Sequence, residues 1–141
     1  MKNLLVIVSL MVAVNASAFI DPKIGGTITL AKGLEKNLTP NGILYVFARR
    51  AMPGSKLEDH TPPIAAIKID HPKFPQAFSI TGKNVMMEGA SLVGAVHVIA
   101  RYSLTGDALD KKGAIEGFDP KNKSTEVGNN NLNIVLKTIL K

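Results

Sequence analysis

Short runs in which apolar residues recur at every second position, separated by segments that contain proline or glycine, constrain this chain more than any other feature. In Ile24–Leu30 the apolar residues fall on one face, whereas in Ile43–Arg49 they occupy both faces. Alternation with a period of two is the pattern of β-strands, and an apolar residue on both faces indicates burial on both sides. The sequence therefore predicts a β protein in which Ile43–Arg49 is a central strand covered on both sides.

Turn residues such as Pro40–Asn41–Gly42 separate six such runs. These six predicted strands are 24–30, 43–49, 64–69, 74–80, 96–102 and 132–140. The last is expected to be an edge or closing strand. Short strands at this spacing predict an all-β fold, an antiparallel β-sandwich of six to eight strands like those of immunoglobulin-like and cupredoxin-like domains.

The segments between these runs carry little regular structure. Leu34–Leu38 and Glu88–Leu92 are each predicted to form one helical turn, because neither is long enough for an independent helix. Asp107–Asn131 is rich in Gly, Lys and Asn and is predicted to be a long connection, with one short strand near Thr125–Val127.

The N-terminus has the three parts of a signal peptide. Lys2 is charged, Leu4–Val14 is an uncharged run of eleven residues, and Ala16 and Ala18 precede a cleavage site before Phe19. Eleven residues are about half of the roughly 20 that a membrane-spanning helix needs. We therefore predict a signal peptide over residues 1–18, cleaved after Ala18, and a single β-sandwich domain over 19–141 that is periplasmic and has no stable membrane anchor.

The composition excludes several classes of protein. The chain has no cysteine, so it forms no disulfide and cannot be anchored through a lipidated N-terminal cysteine. The formal net charge of +6 becomes +5 when Lys2 is removed with the signal peptide. The remaining cations are dispersed and are not interleaved with aromatic residues, so no nucleic-acid binding is expected.

No motif for catalysis is present. There is no G-x-S-x-G sequence and no thiol nucleophile. His60, His71 and His97 could act as bases, but no serine lies in a sequence context in which a base is known to activate it. Gly25–Gly26 opens a strand instead of joining a strand to a helix, so it does not form a dinucleotide-binding loop. We therefore expect a protein that is not an enzyme and needs no cofactor.

Met86, Met87 and His97 are the candidates for an alternative function. Thioether and imidazole groups suit copper, and either can also bind haem iron, so a copper- or haem-binding protein is the second hypothesis. Without cysteine, a blue-copper site is excluded. Methionine is also a common core residue and His97 shares a predicted face with Ile99, so packing is the competing explanation.

Seven segments in order carry a resemblance over nearly all of the predicted domain. They are Gly26–Leu30, Pro40–Arg49, Pro63–Ile67, Phe78, Met86–Gly89, His97–Ser103 and Gly113–Gly117. Their order and spacing resemble those of the C-terminal, immunoglobulin-like periplasmic domain of cytochrome c-type biogenesis proteins of the CcmH/CycH type.

The resemblance implies a non-catalytic accessory role in c-type cytochrome maturation, through contacts with a maturation component or with apocytochrome c. Proteins of that type carry a membrane segment and tetratricopeptide repeats before this domain, and this sequence shows neither, so a freestanding copy is expected. No C-x-x-C-H haem-attachment motif occurs, so the chain is not itself a c-type cytochrome.

Arg49 and Arg101 are the candidate partner-binding residues. Each lies at the end of a predicted strand, where its guanidinium could bind an acidic partner or a haem propionate. Alternatively, each closes an internal ion pair or caps a strand edge. A partner could also add a strand along an exposed sheet edge.

Overall fold

The computed structural model describes residues 21–57 and 61–141, so the predicted signal peptide and His60 lie outside the described residues. The described residues contain eight strands and two short 3-10 helices. The strands are β1 (Lys23–Leu30), β2 (Ile43–Arg50), β3 (Ala65–Asp70), β4 (Gln76–Thr81), β5 (Ala95–Ser103), β6 (Ile115–Phe118), β7 (Thr125–Glu126) and β8 (Leu132–Ile139). The helices are Glu35–Asn37 and Gly82–Asn84. The all-β prediction is confirmed.

The strands form one mixed sheet that curls on itself. Its order is β3-β2-β5-β6-β8-β1-β4, and β7 pairs with β5 beyond the end of β6. Each pairing is antiparallel except that of β1 with β8, which is parallel. The two ends of the sheet approach each other where Ala65 of β3 forms an isolated bridge with Val85. The fold is thus an immunoglobulin-like sandwich with a barrel-like closure.

Alternate residues of the strands point into a single core. The core draws on both halves of the sheet, because β2 and β5 contribute one wall and β1, β4 and β8 the other. Its fully buried large residues include Ile24, Ile28, Leu44, Val46, Ile80, Val96, Ile115, Leu132, Ile134 and Leu136. Burial of this apolar surface is the main stabilising contribution to such a domain.

Strand β2 confirms the prediction of a doubly covered central strand. It lies between β3 and β5, and Leu44, Val46 and Ala48 are fully buried on its inner face. Phe47 points to the outer face and is nevertheless only 7% exposed. The apolar residues on both faces therefore reflect two separate packed layers.

Two local predictions differ from the structure: the last strand, β8, lies in the interior of the sheet between β6 and β1 and not at an edge, and one predicted helical turn is absent. Glu88–Leu92 is not helical; Ala90 N–H donates to Met87 O in a turn, and the second helix lies earlier, at Gly82–Asn84. Thr81 starts that helix because its hydroxyl accepts the Lys83 N–H, while the Asn84 side chain accepts the Thr81 N–H. This reciprocal capping was encoded in the sequence as Thr-x-x-Asn.

The parallel pairing of β1 with β8 depends on Gly26. The pairing starts where Gly26 lies opposite Leu132, and a Cβ atom on Gly26 would overlap the Leu132 backbone. Gly26 also has a φ of 157°. Glycine is therefore required because β8 approaches the backbone of β1 too closely for any side chain.

The hydroxyl of Tyr102 fixes the segment before β2. It donates to Thr39 O and accepts from Thr39 N–H, both at 3.0 Å, and the Tyr102 side chain is buried. Gly42 lies against this ring, and a Cβ atom there would overlap the hydroxyl. The strand β5 thereby determines where β2 begins.

No helix within the described ranges is both long enough and apolar enough to cross a bilayer.

We predict that Tyr102→Phe lowers the free energy of unfolding by about 1–3 kcal/mol, because it leaves two partly buried backbone groups of Thr39 without their partner. Tyr45→Phe is the matched control, since its hydroxyl makes one bond, to Gly106 O at 2.6 Å, at a half-buried site. The control should lose about 1 kcal/mol. Urea unfolding followed by circular dichroism measures both, and an equal loss in the two variants would contradict this account of Tyr102.

Candidate functional site

The outer face of strands β2, β5 and β6 brings together most of the polar residues that sequence reasoning selected. The antiparallel register places Arg49 opposite His97, Phe47 opposite Ile99, and Arg101 opposite Glu116 of β6. Side chains directly opposite each other lie about 5 Å apart at their Cβ atoms. Residues distant in the chain thus form one surface.

Phe47 lies at the centre of an arginine–phenylalanine cluster, made of Phe47, Arg49, Arg101 and Glu116. The guanidinium carbons of Arg49 and Arg101 lie 4.9 and 5.2 Å from the centre of its ring. Both distances are within the range of a cation–π contact. The cluster holds two positive charges against one aromatic side chain.

Arg101 also forms an internal ion pair, one of the alternatives left open by its sequence. Its Nη2 and Nε both lie 2.8 Å from Oε2 of Glu116. The two side chains are 12% and 27% exposed, so the pair is partly shielded from water. Arg101 is not at a strand end, because β5 continues to Ser103.

Arg49 is in an electrostatically unfavourable position for a cation. Burial lowers its pKa, the nearby charge of Arg101 lowers it further, and Glu116 raises it, with a net lowering. A guanidinium under this influence favours the arrival of an additional negative charge. The cluster thus holds two guanidinium groups and one carboxylate around the Phe47 ring.

His97 holds two loops against the sheet. Its Nδ1 donates to Lys123 O at 2.8 Å, so in the neutral ring Nε2, 3.0 Å from Ser55 Oγ, accepts the hydroxyl proton. Ser55 Oγ in turn accepts the Met52 N–H at 2.9 Å. We call Met52, Ser55, His97 and Lys123 the histidine clamp.

A cavity of about 380 Å³ lies beside the clamp and adjoins the cluster, since His97 is the cross-strand neighbour of Arg49. Lys56 and Lys123 contribute to its wall, together with Ser55, Leu57, His97, Phe118 and Ser124. Cations thus border both the cavity and the cluster.

Ser55 and His97 are close enough for proton transfer between their side chains. The Ser55 oxygen already accepts the backbone N–H of Met52, however, and this contact fits a structural role for the pair.

Asp119 anchors the loop that carries Lys123. Its buried carboxylate accepts the backbone N–H groups of Lys121 and Asn133 and the side-chain amide of Asn122, each at 2.9 Å. Burial alone raises the pKa of Asp119, but these hydrogen bonds lower it by more, so the pKa is below its ordinary value.

The residues of the metal hypothesis are not gathered in one place by any contact that the structure records. Met86 and Met87 lie on the loop after the second helix and are 62% and 48% exposed. His97 is only 6% exposed, with both ring nitrogens engaged in the clamp. His71 is in the turn between β3 and β4. Within 21–57 and 61–141 no group of three His, Cys, Asp or Glu residues could hold a metal ion. Copper or haem binding stays a prediction.

Sequence reasoning missed Phe47, Glu116 and Ser55 as members of this surface. Glu116 belongs to β6, which was predicted to be part of a long connection because glycine and lysine dominate that stretch. The sequence feature that could have predicted this strand is the short alternation in Ile115–Phe118, but a β-bulge between Glu116 and Gly117 interrupts the pairing of β6 with β8.

The comparison with known families is consistent with this fold. Residues 24–136 match the family described as the cytochrome c-type biogenesis protein H Ig-like domain. The chain belongs to this family. The match confirms the resemblance found in the sequence, and it covers the whole arginine–phenylalanine cluster of this Ig-like domain. A search of curated proteins gives no match, and neither does a search of solved structures.

We predict that Asp119 makes stability depend on acid. Its folded-state pKa is depressed, so its contribution is complete above about pH 5 and is lost as pH falls through and below the ordinary value of 3.8. Asp119→Asn should therefore unfold at a lower urea concentration at pH 7 and show a shallower loss of stability between about pH 5 and pH 3. Parallel acid dependence in the wild type and this variant would rule out the role assigned to Asp119.

Proposed function

We propose that this Ig-like domain is a non-catalytic, periplasmic accessory module of c-type cytochrome maturation, acting through contacts with a maturation component or with apocytochrome c. Membership in the cytochrome c-type biogenesis protein H Ig-like family carries this proposal. The outer face of β2, β5 and β6 supplies the contact surface, with Arg49 and Arg101 as the partner-binding residues.

The charge of this face supports an acidic partner. Arg49 and Arg101 both contact the ring of Phe47, and Glu116 forms an ion pair with Arg101. Lys56 and Lys123 border the adjoining cavity. A guanidinium binds a carboxylate through directional, charge-assisted hydrogen bonds, and a partly buried one does so more strongly than an exposed one. An acidic segment or a haem propionate on the partner fits this chemistry.

The first experiment is capture of partners from an envelope extract with the tagged protein, followed by measurement of binding to purified apocytochrome c. We predict that Arg49→Gln weakens the binding of the captured partner about tenfold, because a charge-assisted hydrogen bond is lost. Glu116→Gln should strengthen binding, since the internal competitor for Arg101 loses its charge.

Arg50→Gln is the matched control for Arg49→Gln. Arg50 is the next residue of β2, with the same charge, but its guanidinium donates to Val93 O and Ser91 O, at 3.1 Å each, away from the cluster. Equal weakening by the two substitutions would show that general charge, and not this face, attracts the partner. Failure to recover any cytochrome-maturation component would contradict the proposed function itself.

The periplasmic location has a separate test. We predict that mass spectrometry of the protein recovered from periplasm shows Phe19 as its first residue, as cleavage after Ala18 requires. Recovery of the intact N-terminus with Met1 in the membrane fraction would replace the signal peptide with an anchor.

A further inference from the structure

The sheet has two terminal strands, and they differ in how they are protected. Strand β3 ends the order on one side and β4 on the other. In the described part of the chain, β4 forms a ladder with β1 alone. Side chains already engage Thr81 N–H, which donates to Asn84 Oδ1, and Ala77 O, which accepts from Gln76 Nε2, so the second edge offers the remaining backbone donors and acceptors around Ser79. Such an edge is a template for another strand unless the protein blocks it.

Strand β3 carries the usual protection. Lys68 and Asp70 project from its outer face with their side chains 56% and 65% exposed. Its start is also covered, because Ala65 is bridged to Val85 and Met86 N–H donates to Ile64 O at 2.8 Å. Charges and a covering segment are both devices that prevent edge-to-edge association.

Strand β4 carries none of these devices. Its six residues, Gln76–Thr81, include no charge and no proline, and its register with β1 runs without a bulge. Its exposed side chains are the small Ala77 and Ser79, while Phe78 and Ile80 fill the core. Another backbone can therefore approach the edge without displacing a bulky or charged group.

A groove adjoins the beginning of β4. It has a volume of about 530 Å³ and is lined by Thr29, Leu30, Glu35, Leu38, Pro72, Lys73, Phe74 and Pro75. This volume is large enough for one aromatic or aliphatic side chain, and Leu30, Leu38 and Phe74 give the groove an apolar wall. Thr29 and Leu30 belong to β1, so the groove lies between the end of β1 and the loop that leads into β4. In strand addition, backbone bonds give affinity and a neighbouring side-chain pocket gives specificity.

We propose that β4 is the docking edge for an extended segment of a partner polypeptide, which adds as a strand beside Gln76–Thr81 and places one large apolar side chain in the groove at Phe74. The inference rests on the proposed function for the identity of that partner, but not for the edge itself. The proposed docking edge at β4 is a second contact surface, separate from the arginine–phenylalanine cluster on β2, β5 and β6.

The charges at the ends of β4 indicate the composition of the segment. Lys73 precedes the strand, Lys83 follows it, and both are exposed. A segment that is uncharged in its centre and acidic at its ends complements this pattern. A second copy of the chain does not, because antiparallel pairing of two β4 strands brings Lys83 of each copy towards Lys73 of the other, in molecules that each carry a net positive charge.

The test uses a synthetic probe and the purified protein labelled with ¹⁵N. The probe is the fluorescent peptide Glu-Thr-Val-Thr-Phe-Thr-Val-Glu, which combines high strand propensity with acidic ends. We predict saturable binding by fluorescence anisotropy, with amide shifts along Gln76–Thr81 and none along Ala66–Asp70. The same peptide with N-methyl groups on alternate residues should not bind, since it cannot complete a ladder, and replacing its Phe by Ala should weaken binding because the groove is left empty.

Substitutions in the protein give a second, independent measurement. Ala77→Glu/Ser79→Glu places negative charges on the edge, which repel the acidic peptide, and should weaken its binding at least about fivefold. Val93→Glu/Leu109→Glu adds the same charge at positions that are 53% and 86% exposed, and it should bind like the wild type. Both variants should retain the wild-type circular dichroism spectrum.

Three results would overturn the proposal: shifts centred on β3, equal binding of the N-methylated peptide, or a dimer in the absence of peptide that dissociates on Ala77→Glu/Ser79→Glu. Its failure is distinguishable from failure of the proposed function. Capture of maturation components without peptide binding at β4 leaves the function standing and removes the edge. Peptide binding at β4 without capture of such components supports the docking edge and contradicts the proposed function.

Discussion

The ladder between β2 and β5 is the constraint on which the rest of the structure depends. It runs over eight residue pairs, from Ile43 opposite Ser103 to Arg50 opposite Val96. Because side chains alternate between the two faces, this one register sends Val46 and Ala100 into the core and Phe47 to the outer face. A slip of one residue would exchange the two sets and bury Arg49 and Arg101 among aliphatic side chains. Core and candidate site are therefore fixed by the same backbone hydrogen bonds.

The strands with strong alternation were predictable from the sequence, and the reason is physical. The runs that became β1, β2, β5 and β8 each bury several large aliphatic residues, so their patterns are long and clear. The parallel pairing of β1 with β8 leaves no comparable signal, since pairing direction is decided by which strands become neighbours in space. The two-glycine sequence Gly25–Gly26 was interpreted only as the opening of a strand, and it did not indicate that β8 would lie against it.

The candidate site was predictable only in its cations. Arg49 and Arg101 could be selected by their positions at the ends of apolar runs, whereas the ring between them was assigned to packing. Glu116 was not selected as a site residue, because β6 has only four residues and a bulge within them. Ser55 could not be assigned to His97 from sequence, since the contact spans 42 residues and depends on how the loop after β2 folds back. Contacts made by loops over a sheet face follow from the fold and do not appear as local patterns.

The position of β8 has a consequence for how this domain acquires its structure. The last strand in sequence lies in the interior of the sheet, between β6 and β1, and it supplies Leu132, Ile134 and Leu136 to the core. Until those residues are available, the first strand lacks one of its two neighbours and the two walls of the core are not joined. A chain that emerges N-terminus first would therefore remain incompletely folded until its final residues are released, and such non-local pairing is also intrinsically slow to form. Because only β8 can complete the sheet, folding of this domain is delayed until Leu132–Ile139 is available to join its two walls.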